Sequence, residues 1–244
     1  LWSQIYTPQL LQEFKAKLDQ AEKITAGNPD ALKRVRFMRE NLFAPIFAQA
    51  AAHDREQAAI ASWQVSVPGQ VQLRPFKGEV TEVGTTVTIA DTPAALQITF
   101  QCQEPAIDKM VRKAKSRDAN NIFLDSCVEV LINPSADRIH YYHFIVNADG
   151  VLYDSRMASN DPGLDLSWNS AATAQAQIGK DSWQVVLTLP KADLGPLSPD
   201  GVPVNFARHR ALDPVVPENY YQWSPVAGRS FHATERWGRM ILPR

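Results

Sequence analysis

The sequence predicts a mostly β protein, an antiparallel β-sandwich preceded by an N-terminal α-helical hairpin. Over the first sixty residues the apolar side chains recur at helical spacing. Beyond Trp63 the pattern changes to alternation, in short runs rich in Val, Ile, Thr and aromatic residues that are separated by Pro, Gly and Asp. Many short strands with turn signals between them are typical of a sandwich. We therefore expect a helical segment at residues 1–62, as the end of an upstream domain, and a sandwich at residues 70–244.

Two helices are predicted in the first segment. The first runs from Pro8 to Ile24, with Thr7 as its N-cap and a proline in its first turn. Gly27-Asn28-Pro29 ends it. A second helical pattern runs from Ala31 to about Ala59, and Pro45 is expected to kink it or divide it in two. The pair is interpreted as an αα-hairpin.

The predicted strands are short alternating or apolar runs, each bounded by turn residues. The basic stretch between two of them, residues 108–121, is interpreted as a solvated surface loop. The candidate strands are Thr86–Ala90, Leu96–Cys102, Cys127–Ile132, His140–Asn147, Val151–Asp154, Ala172–Ile178, Trp183–Leu189, Val202–Arg208 and Met240–Leu242.

The charge of the chain favours a neutral partner. It has 25 basic and 26 acidic residues, a net charge of -1, so nothing indicates nucleic acid or an anionic membrane as a partner. No apolar stretch approaches the roughly 20 residues that a membrane-spanning helix needs. The sequence begins at Leu1 rather than Met, and we interpret it as a processed chain or an excised fragment.

The two cysteines, Cys102 and Cys127, both lie in apolar strand patterns. Buried free thiols are one interpretation. A disulfide between them is the other, because two cysteines permit only one pairing.

A polar and aromatic sheet face is the feature that bears most directly on function. Glu129 lies in an otherwise apolar or β-branched strand, and the next strand places His143 and Asn147 on one side among aromatic residues. Such a face suits sugar recognition, because a pyranose presents an apolar C–H surface to an aromatic ring and a rim of hydroxyls to polar groups. Asn147 has a second interpretation, as the residue that caps the turn at Asp149-Gly150.

A series of short motifs resembles family 9 carbohydrate-binding modules. Ser126–Val130 is similar to the family's strand Asp-Ser-Val-Glu-hydrophobic, and the likeness continues in order from about Pro75 to the C-terminus. The further motifs are His143–Asn147 with Asp149-Gly150 and Tyr153-Asp154, Asp181–Val185 with Leu189-Pro190 and Leu194-Gly195, Val204–Arg208, Gln222–Pro225 and Trp237–Leu242.

The resemblance implies a site in which two aromatic rings clamp a terminal sugar. Sugar-binding members use two tryptophans, and at the matching motifs this chain carries Phe123 and Phe231. Glu129 would accept hydrogen bonds from sugar hydroxyls, with His143 and Asn147 as further polar contacts. Ile145 stands where sugar-binding members can carry arginine. Arg208 and Trp223 are expected to be structural, with an arginine lying along a tryptophan.

The helical segment resembles the one that follows the catalytic barrel in α-glucuronidase-like bacterial glycoside hydrolases. Its pattern includes Tyr6-Thr7-Pro8, the Leu-Leu-x-x-Phe stripe and Ala31–Arg39. This likeness implies that the chain is the C-terminal, non-catalytic part of a glycan-degrading enzyme, which is secreted or periplasmic or held at the cell surface. Its partners would be a polysaccharide or oligosaccharide and the upstream catalytic domain.

Other functions remain open at this point. A sandwich that only packs against neighbouring domains would bury Phe123 and Phe231 or hold them far apart. A haem would need Met110 or Met157 together with His143. No cofactor is expected, although a structural calcium is possible at Asp149–Asp154 or at Asn160–Asp165.

Catalysis by the chain itself is weakly indicated. A glycosidase needs two carboxylates in one cleft, and no spacing compels such a pair. A nucleophilic triad has no support either, since no Gly-x-Ser-x-Gly motif is present. The candidate carboxylates, chosen by residue type alone, are Asp125, Glu129, Asp149, Asp154 and Glu235.

Overall fold

A computed structural model describes residues 6–75, 83–157, 164–216, 219–224 and 230–243. The chain divides into two compact units, Leu1–Ala59 and Ile60–Arg244. Each unit is described by itself below. The assignment of residues 1–62 to an upstream domain and of residues 70–244 to a sandwich module stays a prediction.

The helical unit begins with α1 (Pro8–Thr25) and α2 (Pro29–Met38). Thr7 caps α1, its hydroxyl accepting a hydrogen bond from the backbone N–H of Leu10 at 3.2 Å. A π-helical turn, Arg39–Phe43, then leads into α3 (Ala44–Ala61). The break falls directly before Pro45, which has no N–H to continue the hydrogen-bond ladder. Arg39, at the start of this turn, is joined to α1 by ion pairs to Asp19 and Glu22, each 2.7 Å long.

The second unit is a sandwich of two sheets, which confirms the predicted fold class. The strands are β1 (Gln64–Ser66), β2 (Gly69–Gln72), β3 (Arg74–Pro75), β4 (Thr85–Asp91), β5 (Ala95–Gln103), β6 (Cys127–Ile132), β7 (Tyr142–Asn147), β8 (Leu152–Met157), β9 (Leu164–Asp165), β10 (Thr173–Ile178), β11 (Ser182–Pro190), β12 (Val202–His209), β13 (Tyr220–Gln222) and β14 (Gly238–Ile241). The larger sheet has the order β1-β14-β12-β6-β7-β8-β9, with β13 paired to β12 and β3 paired to β13, and the smaller sheet has the order β10-β11-β5-β4-β2. All described pairs are antiparallel except β1 with β14. A single helical turn, α4 (Lys191–Leu194), follows β11.

The main core lies between the sheets and takes every second residue of each strand. In β6 the inward residues are Val128 and Val130, and in β7 they are Phe144 and Val146. The intervening residues of both strands therefore point to the outer face of the larger sheet. That outer face is also covered, because all six residues of β6 are buried.

The candidate strands of the sequence analysis correspond to β4, β5, β6, β7, β8, β10, β11, β12 and β14. The remaining strands, β1, β2, β3, β9 and β13, have only two to four residues each. Runs this short carry too little alternation to be recognised without their partners.

Gly238 explains one of the motifs. A Cβ at this position would lie 2.7 Å from the ring of Trp223 and 2.9 Å from the backbone oxygen of Trp63. Only glycine lets β14 approach the buried indole this closely. The Trp237-Gly238 motif and the distant Trp223-Ser224 motif therefore occur together because the ring of Trp223 packs against Gly238.

The basic loop before β6 lies at the surface, as the sequence predicts, and ion pairs also fasten it to the sheet. Arg112 and Lys115 both bind the Asp149 carboxylate, with Lys115 Nζ at 2.5 Å. Arg117 reaches the fully buried Asp154 at 2.9 Å. These pairs fix the chain that leads to Phe123.

Both cysteines are buried free thiols. Burial raises the pKa of Cys102 to about 11 and raises that of Cys127 well above its usual value. Of the two interpretations that the sequence allowed, the structure therefore has the unpaired one.

Candidate functional site

A pocket of about 420 Å³ lies on the outer face of the larger sheet. Its floor comes from β6, β7 and β8, and its rim comes from the loop before β6, from β13 and from the segment before β14. The described residues that line it are Asp118, Asn120, Phe123, Glu129, His143, Ile145, Tyr153, Leu166, Tyr220, Phe231 and His232. Its volume falls in the range of roughly 300–1,000 Å³ that is usual for small-molecule sites.

The floor is organised by an acid and an imidazole. Glu129 and His143 are 6% and 5% exposed, and Glu129 Oε2 lies 2.8 Å from His143 Nε2. A buried carboxylate needs such a partner, because burial without one is costly. The pairing leaves Glu129 Oε1 without any described hydrogen bond. The acid is thus held in one orientation while it keeps acceptor capacity for a ligand.

The walls are aromatic. Phe123 is 53% exposed and Phe231 is partly buried, and both line the pocket. Tyr220 lies edge-on to Phe231, with the ring centroids 6.1 Å apart. It also stacks on His209, with centroids 4.4 Å apart and an interplanar angle of 9°. His209 Nδ1 donates to the backbone oxygen of Phe123 at 2.9 Å, so one imidazole contacts both Tyr220 and the backbone that carries Phe123.

A second histidine in the lining is neutral at neutral pH. Burial lowers the pKa of His232 to about 4, and the nearby His143 lowers it further while Glu129 opposes the shift. The Tyr141 hydroxyl lies 2.7 Å from His232 Nδ1. The rings of His143 and His232 meet edge to face, with centroids 4.9 Å apart.

No lysine or arginine belongs to the described lining of this pocket, whereas two carboxylates, Asp118 and Glu129, do. Burial raises the pKa of Asp118, although the backbone N–H of Asp154 and the nearby Arg117 oppose the shift. Because the described lining holds no lysine or arginine, an anionic ligand would find no such cation there to pair with. The pocket therefore suits a neutral ligand that has both an apolar face and hydroxyl groups.

The structure brings together four of the five site residues that the sequence predicts. Phe123, Phe231, Glu129 and His143 line one pocket, and Asn147 is absent from its lining. Ile145, which stands where the resemblance allows arginine, also lines it.

Asn147 is fully buried and organises the turn that follows β7. Its side-chain amide donates to Ala114 O at 3.1 Å and to Asp125 Oδ2 at 3.0 Å. Its side-chain oxygen accepts from the backbone N–H groups of Asp149 and Val151. These contacts match the second role that the sequence allowed, capping of the turn, and they are the reason why we assign Asn147 no contact with a ligand.

Six of the lining residues escaped the sequence analysis as site residues: Asp118, Asn120, Tyr153, Leu166, Tyr220 and His232. The signal for Tyr153 was present, since it follows inward-facing Leu152 and pairs with Ile145 across the strands. Tyr220 precedes inward-facing Tyr221 in the same way. His232 lies in a segment without strand pattern, so no local signal could have found it.

Three of the other four candidate carboxylates, Asp125, Asp149 and Asp154, have structural partners, and the fourth, Glu235, does not line the pocket. Asp125 is fully buried and accepts hydrogen bonds from the backbone N–H groups of Lys113 and Ala114 at 2.7 and 2.9 Å. Asp149 and Asp154 bind the basic loop, as described above. None of these three carboxylates lines the pocket with Glu129.

Within the described ranges, no group of three or more His, Cys, Asp or Glu side chains is arranged to hold a metal ion. Residues 158–163 lie outside those ranges, so part of the segment Asn160–Asp165 does too. The structural calcium and the haem both stay untested expectations. The helices that the structure describes include none long and apolar enough to cross a membrane.

Comparison with known protein families gives a match to a family described as carbohydrate-binding family 9, over residues 79–241. This range covers well over half of the chain. A comparison with curated proteins found no significant match.

Solved structures with a similar fold include a putative carbohydrate-binding protein from Bacteroides uniformis, with a TM-score of 0.54 and 20% identity over 71% of this chain and 87% of that one. A family 9 module from Caldicellulosiruptor kristjanssonii in complex with cellotriose gives a TM-score of 0.51 and 14% identity, covering 73% and 92% of the two chains. The same kind of module in complex with glucose gives 0.50 and 13%, covering 71% and 84%. At these identities the likeness shows the fold alone.

Proposed function

This chain belongs to carbohydrate-binding family 9, and from that premise we propose that it is a non-catalytic module that holds the terminal unit of an oligosaccharide or polysaccharide. The binding site is the pocket on the outer face of the larger sheet. The single observation that carries the proposal is the meeting of Phe123, Phe231 and Glu129 around one cavity, with Glu129 oriented by His143. The two structures of a Caldicellulosiruptor module, one in complex with glucose and one with cellotriose, support the ligand class.

The chemistry of the lining fits a sugar. The rings of Phe123 and Phe231 offer apolar surface to the C–H face of a pyranose, and each such contact contributes about 0.5–1.5 kcal/mol. Glu129 accepts hydrogen bonds from hydroxyl groups, and a charged acceptor contributes about 1.5–3 kcal/mol. Together with a few further hydrogen bonds, of about 0.5–1.5 kcal/mol each, these contacts give a dissociation constant that is roughly millimolar to micromolar.

Weak binding of this kind suits a module that is tethered to a catalytic domain. The tether raises the effective concentration of the module at the glycan, so that high intrinsic affinity is unnecessary. We extend the proposal accordingly: the chain is the accessory part of a secreted or periplasmic glycoside hydrolase whose catalytic domain lies upstream. The support is the resemblance of the helical segment to that of α-glucuronidase-like enzymes.

Calorimetric titration with sugars selected on a glycan array tests the proposal. We expect Phe123→Ala to weaken binding about 2- to 10-fold, since one stacking contact is lost. Glu129→Gln should weaken it about 10- to 100-fold, because glutamine keeps the size of the side chain but loses the charge.

Phe37→Ala serves as the matched control, since Phe37 lies in α2 and is 61% exposed. It should bind as the original chain does. If the array and the titration reveal no sugar at all, the sandwich is a structural module and the proposal is wrong. An equal loss in Phe37→Ala would likewise show that the pocket is not the site.

A further inference from the structure

Three rows of side chains on the outer face of the smaller sheet contain no charged residue. Each row runs across the strands, because residues that pair between neighbouring strands point to the same side of the sheet. The first row takes one residue from each of the five strands: Gln72, Thr86, Gln101, Gln184 and Gln177. We call the three rows together the smaller-sheet face.

The other two rows have the same composition. The second row consists of Gln70, Thr88, Thr99, Val186 and Gln175. The third row consists of Ala90, Gln97, Thr188 and Thr173. The face thus has seven glutamines, five threonines, one valine and one alanine. Because 21% of the whole chain is charged, about three charged residues would be expected at fourteen positions, and a protein surface usually has more.

The smaller-sheet face is open to a ligand. In β5 the alternate residues Leu96 and Ile98 are fully buried in the core, whereas Gln97 and Gln101 are exposed on the other side. The same alternation runs through β4, β10 and β11. Neighbouring strands lie about 4.8 Å apart, so the first row extends over about 19 Å. The face is therefore a broad polar surface rather than a pocket.

Hydrogen bonds between strands orient the first row. Gln72 Nε2 donates to Thr86 Oγ1 at 2.7 Å, and Gln184 Nε2 donates to Gln101 Oε1 at 3.1 Å. A primary amide can donate two hydrogen bonds and accept two. One such bond for each amide therefore fixes the side chain and leaves it further capacity to bind a ligand.

The composition of the face indicates the class of ligand. Nucleic acids and anionic membranes are bound through lysine and arginine, and protein interfaces are enriched in aromatic residues, methionine and arginine. The three rows contain none of these residue types. Their amides and hydroxyls can exchange hydrogen bonds with neutral hydroxyl groups, and the methyl groups of Thr99 and Val186 offer apolar surface between them. An uncharged chain of sugars matches this chemistry, because its binding desolvates no charge on the face.

We propose that the smaller-sheet face is a second binding surface, which holds the interior of a neutral polysaccharide chain. It shares no residue with the sugar pocket, which is lined by Phe123, Phe231 and Glu129 on the outer face of the larger sheet. The pocket takes the end of a chain, whereas an open face requires no end. The outer faces of a sandwich point in opposite directions, so the module contacts two glycan chains at once. This inference does not rest on the proposed function of the pocket.

Adsorption to insoluble polysaccharides tests this surface separately from the pocket. The parent for the test is the double variant Phe123→Ala with Glu129→Gln, in which the sugar pocket is disabled. We expect this parent still to adsorb to at least one of three neutral polymers: amorphous cellulose, mannan and starch granules. The amount adsorbed should be the same at low and at high NaCl concentration, because no charged group of the face takes part.

Two changes to the face should weaken the adsorption of this parent. Gln101→Ala together with Gln184→Ala should weaken it about 10-fold, because the amides at the centre of the first row are lost. Thr99→Lys should weaken it at least as much, because an ammonium group would be covered by the glycan without a counter-charge. Gln12→Ala together with Gln20→Ala is the matched control, since both glutamines are exposed in α1, and it should leave adsorption unchanged.

Four outcomes overturn the inference. If the parent adsorbs to none of the three polymers, the face binds no such glycan, whereas the proposed function is decided separately by titration of the original chain. If the changes on the face have no larger effect than the control, the adsorbing surface lies elsewhere. If adsorption falls as the salt concentration rises, charged groups outside the face are responsible. If sedimentation shows dimers of the parent that Thr99→Lys dissociates, the face binds a second copy of the chain instead.

Discussion

At the scale of single residues, burial changes the pKa of His232 in the sugar pocket. His232 lies between His143 and Tyr141, where its imidazole is desolvated and its pKa falls from 6.5 to about 4. In the unfolded chain the same imidazole would titrate near its ordinary value. Between about pH 6.5 and pH 4 the unfolded state therefore binds more protons than the folded state. Stability must fall as the pH falls through this window.

This shift makes a prediction about acid sensitivity. Lowering the pH from 7 to 5 should reduce the free energy of unfolding by about 2 kcal/mol through His232. The variant His232→Asn should lose correspondingly less over the same interval. Urea denaturation followed by tryptophan fluorescence measures it, since five of the six tryptophans lie in the sandwich unit.

His53→Asn is the control, because His53 lies in α3 of the helical unit. The free energy of unfolding of this variant should fall between pH 7 and pH 5 by as much as that of the original chain. If His232→Asn and the original chain lose the same free energy of unfolding between pH 7 and pH 5, the interpretation of His232 is wrong.

Strands meet at one end of the sandwich through a buried ionic cluster. Glu104, which directly follows β5, binds Arg208 of β12 at 3.0 Å and Arg210 at 2.7 and 2.8 Å. Burial opposes the charge of Glu104, but the hydrogen bonds from Arg210 and Ala106 outweigh it and lower the pKa of the carboxyl group. Arg208 also lies against the rings of Trp183 and Tyr221, at 5.7 Å from each. The cluster thus ties the two sheets together where the core ends.

Removing the acid of this cluster should be strongly destabilising. Glu104→Gln leaves the buried guanidinium of Arg208 without its counter-charge, and the loss of one partner of a buried ion pair costs about 3–5 kcal/mol. Chemical denaturation of the variant measures the effect.

Asp165→Asn is the comparison, because it removes the acid of the exposed pair with Arg156. A surface pair contributes little, so this variant should unfold as the original chain does. A small effect of Glu104→Gln, similar to that of Asp165→Asn, would show that the cluster does not hold the sheets together.

The chain taken as a whole combines a helical unit with a sandwich, and two carboxylates, Glu129 and Asp118, line the sugar pocket of the sandwich. Glu129 lies at the floor of this pocket, and its hydrogen-bond partner is the imidazole of His143 rather than a second acid. Asp118 Oδ1 accepts a hydrogen bond from the backbone N–H of Asp154. Each carboxylate thus has a partner of its own, which agrees with the non-catalytic role that we propose.

The purified chain should therefore bind glycan without cleaving it. Incubation with the glycan that binds best should release no reducing sugar above the level without protein. Sequencing the coding region upstream should reveal a glycoside hydrolase domain. Release of reducing sugar that Glu129→Gln abolishes would instead identify the pocket as an active site.

Much of this architecture follows from local pattern. Alternation alone placed Val128 and Val130 inward and Glu129 outward, because successive side chains of a strand point to opposite faces. The same rule put His143 on one side of its strand, and the pairing of β6 with β7 brought it to Glu129. Thr7, Pro8 and Pro45 likewise marked helix boundaries, since capping and the missing N–H of proline act within a single turn.

Sheet order and loop closure settled the rest, because they join residues that are far apart in the chain. Phe123 and Tyr220 share a pocket only since β12 pairs with both β6 and β13. Asn147 lies on the same face of its strand as His143, yet its side-chain amide donates hydrogen bonds to Ala114 and Asp125 in the loop before β6. His209 likewise holds the backbone of Phe123 through a hydrogen bond that spans 86 residues of sequence. Local periodicity contains no information about such encounters, so they become visible only in the folded chain.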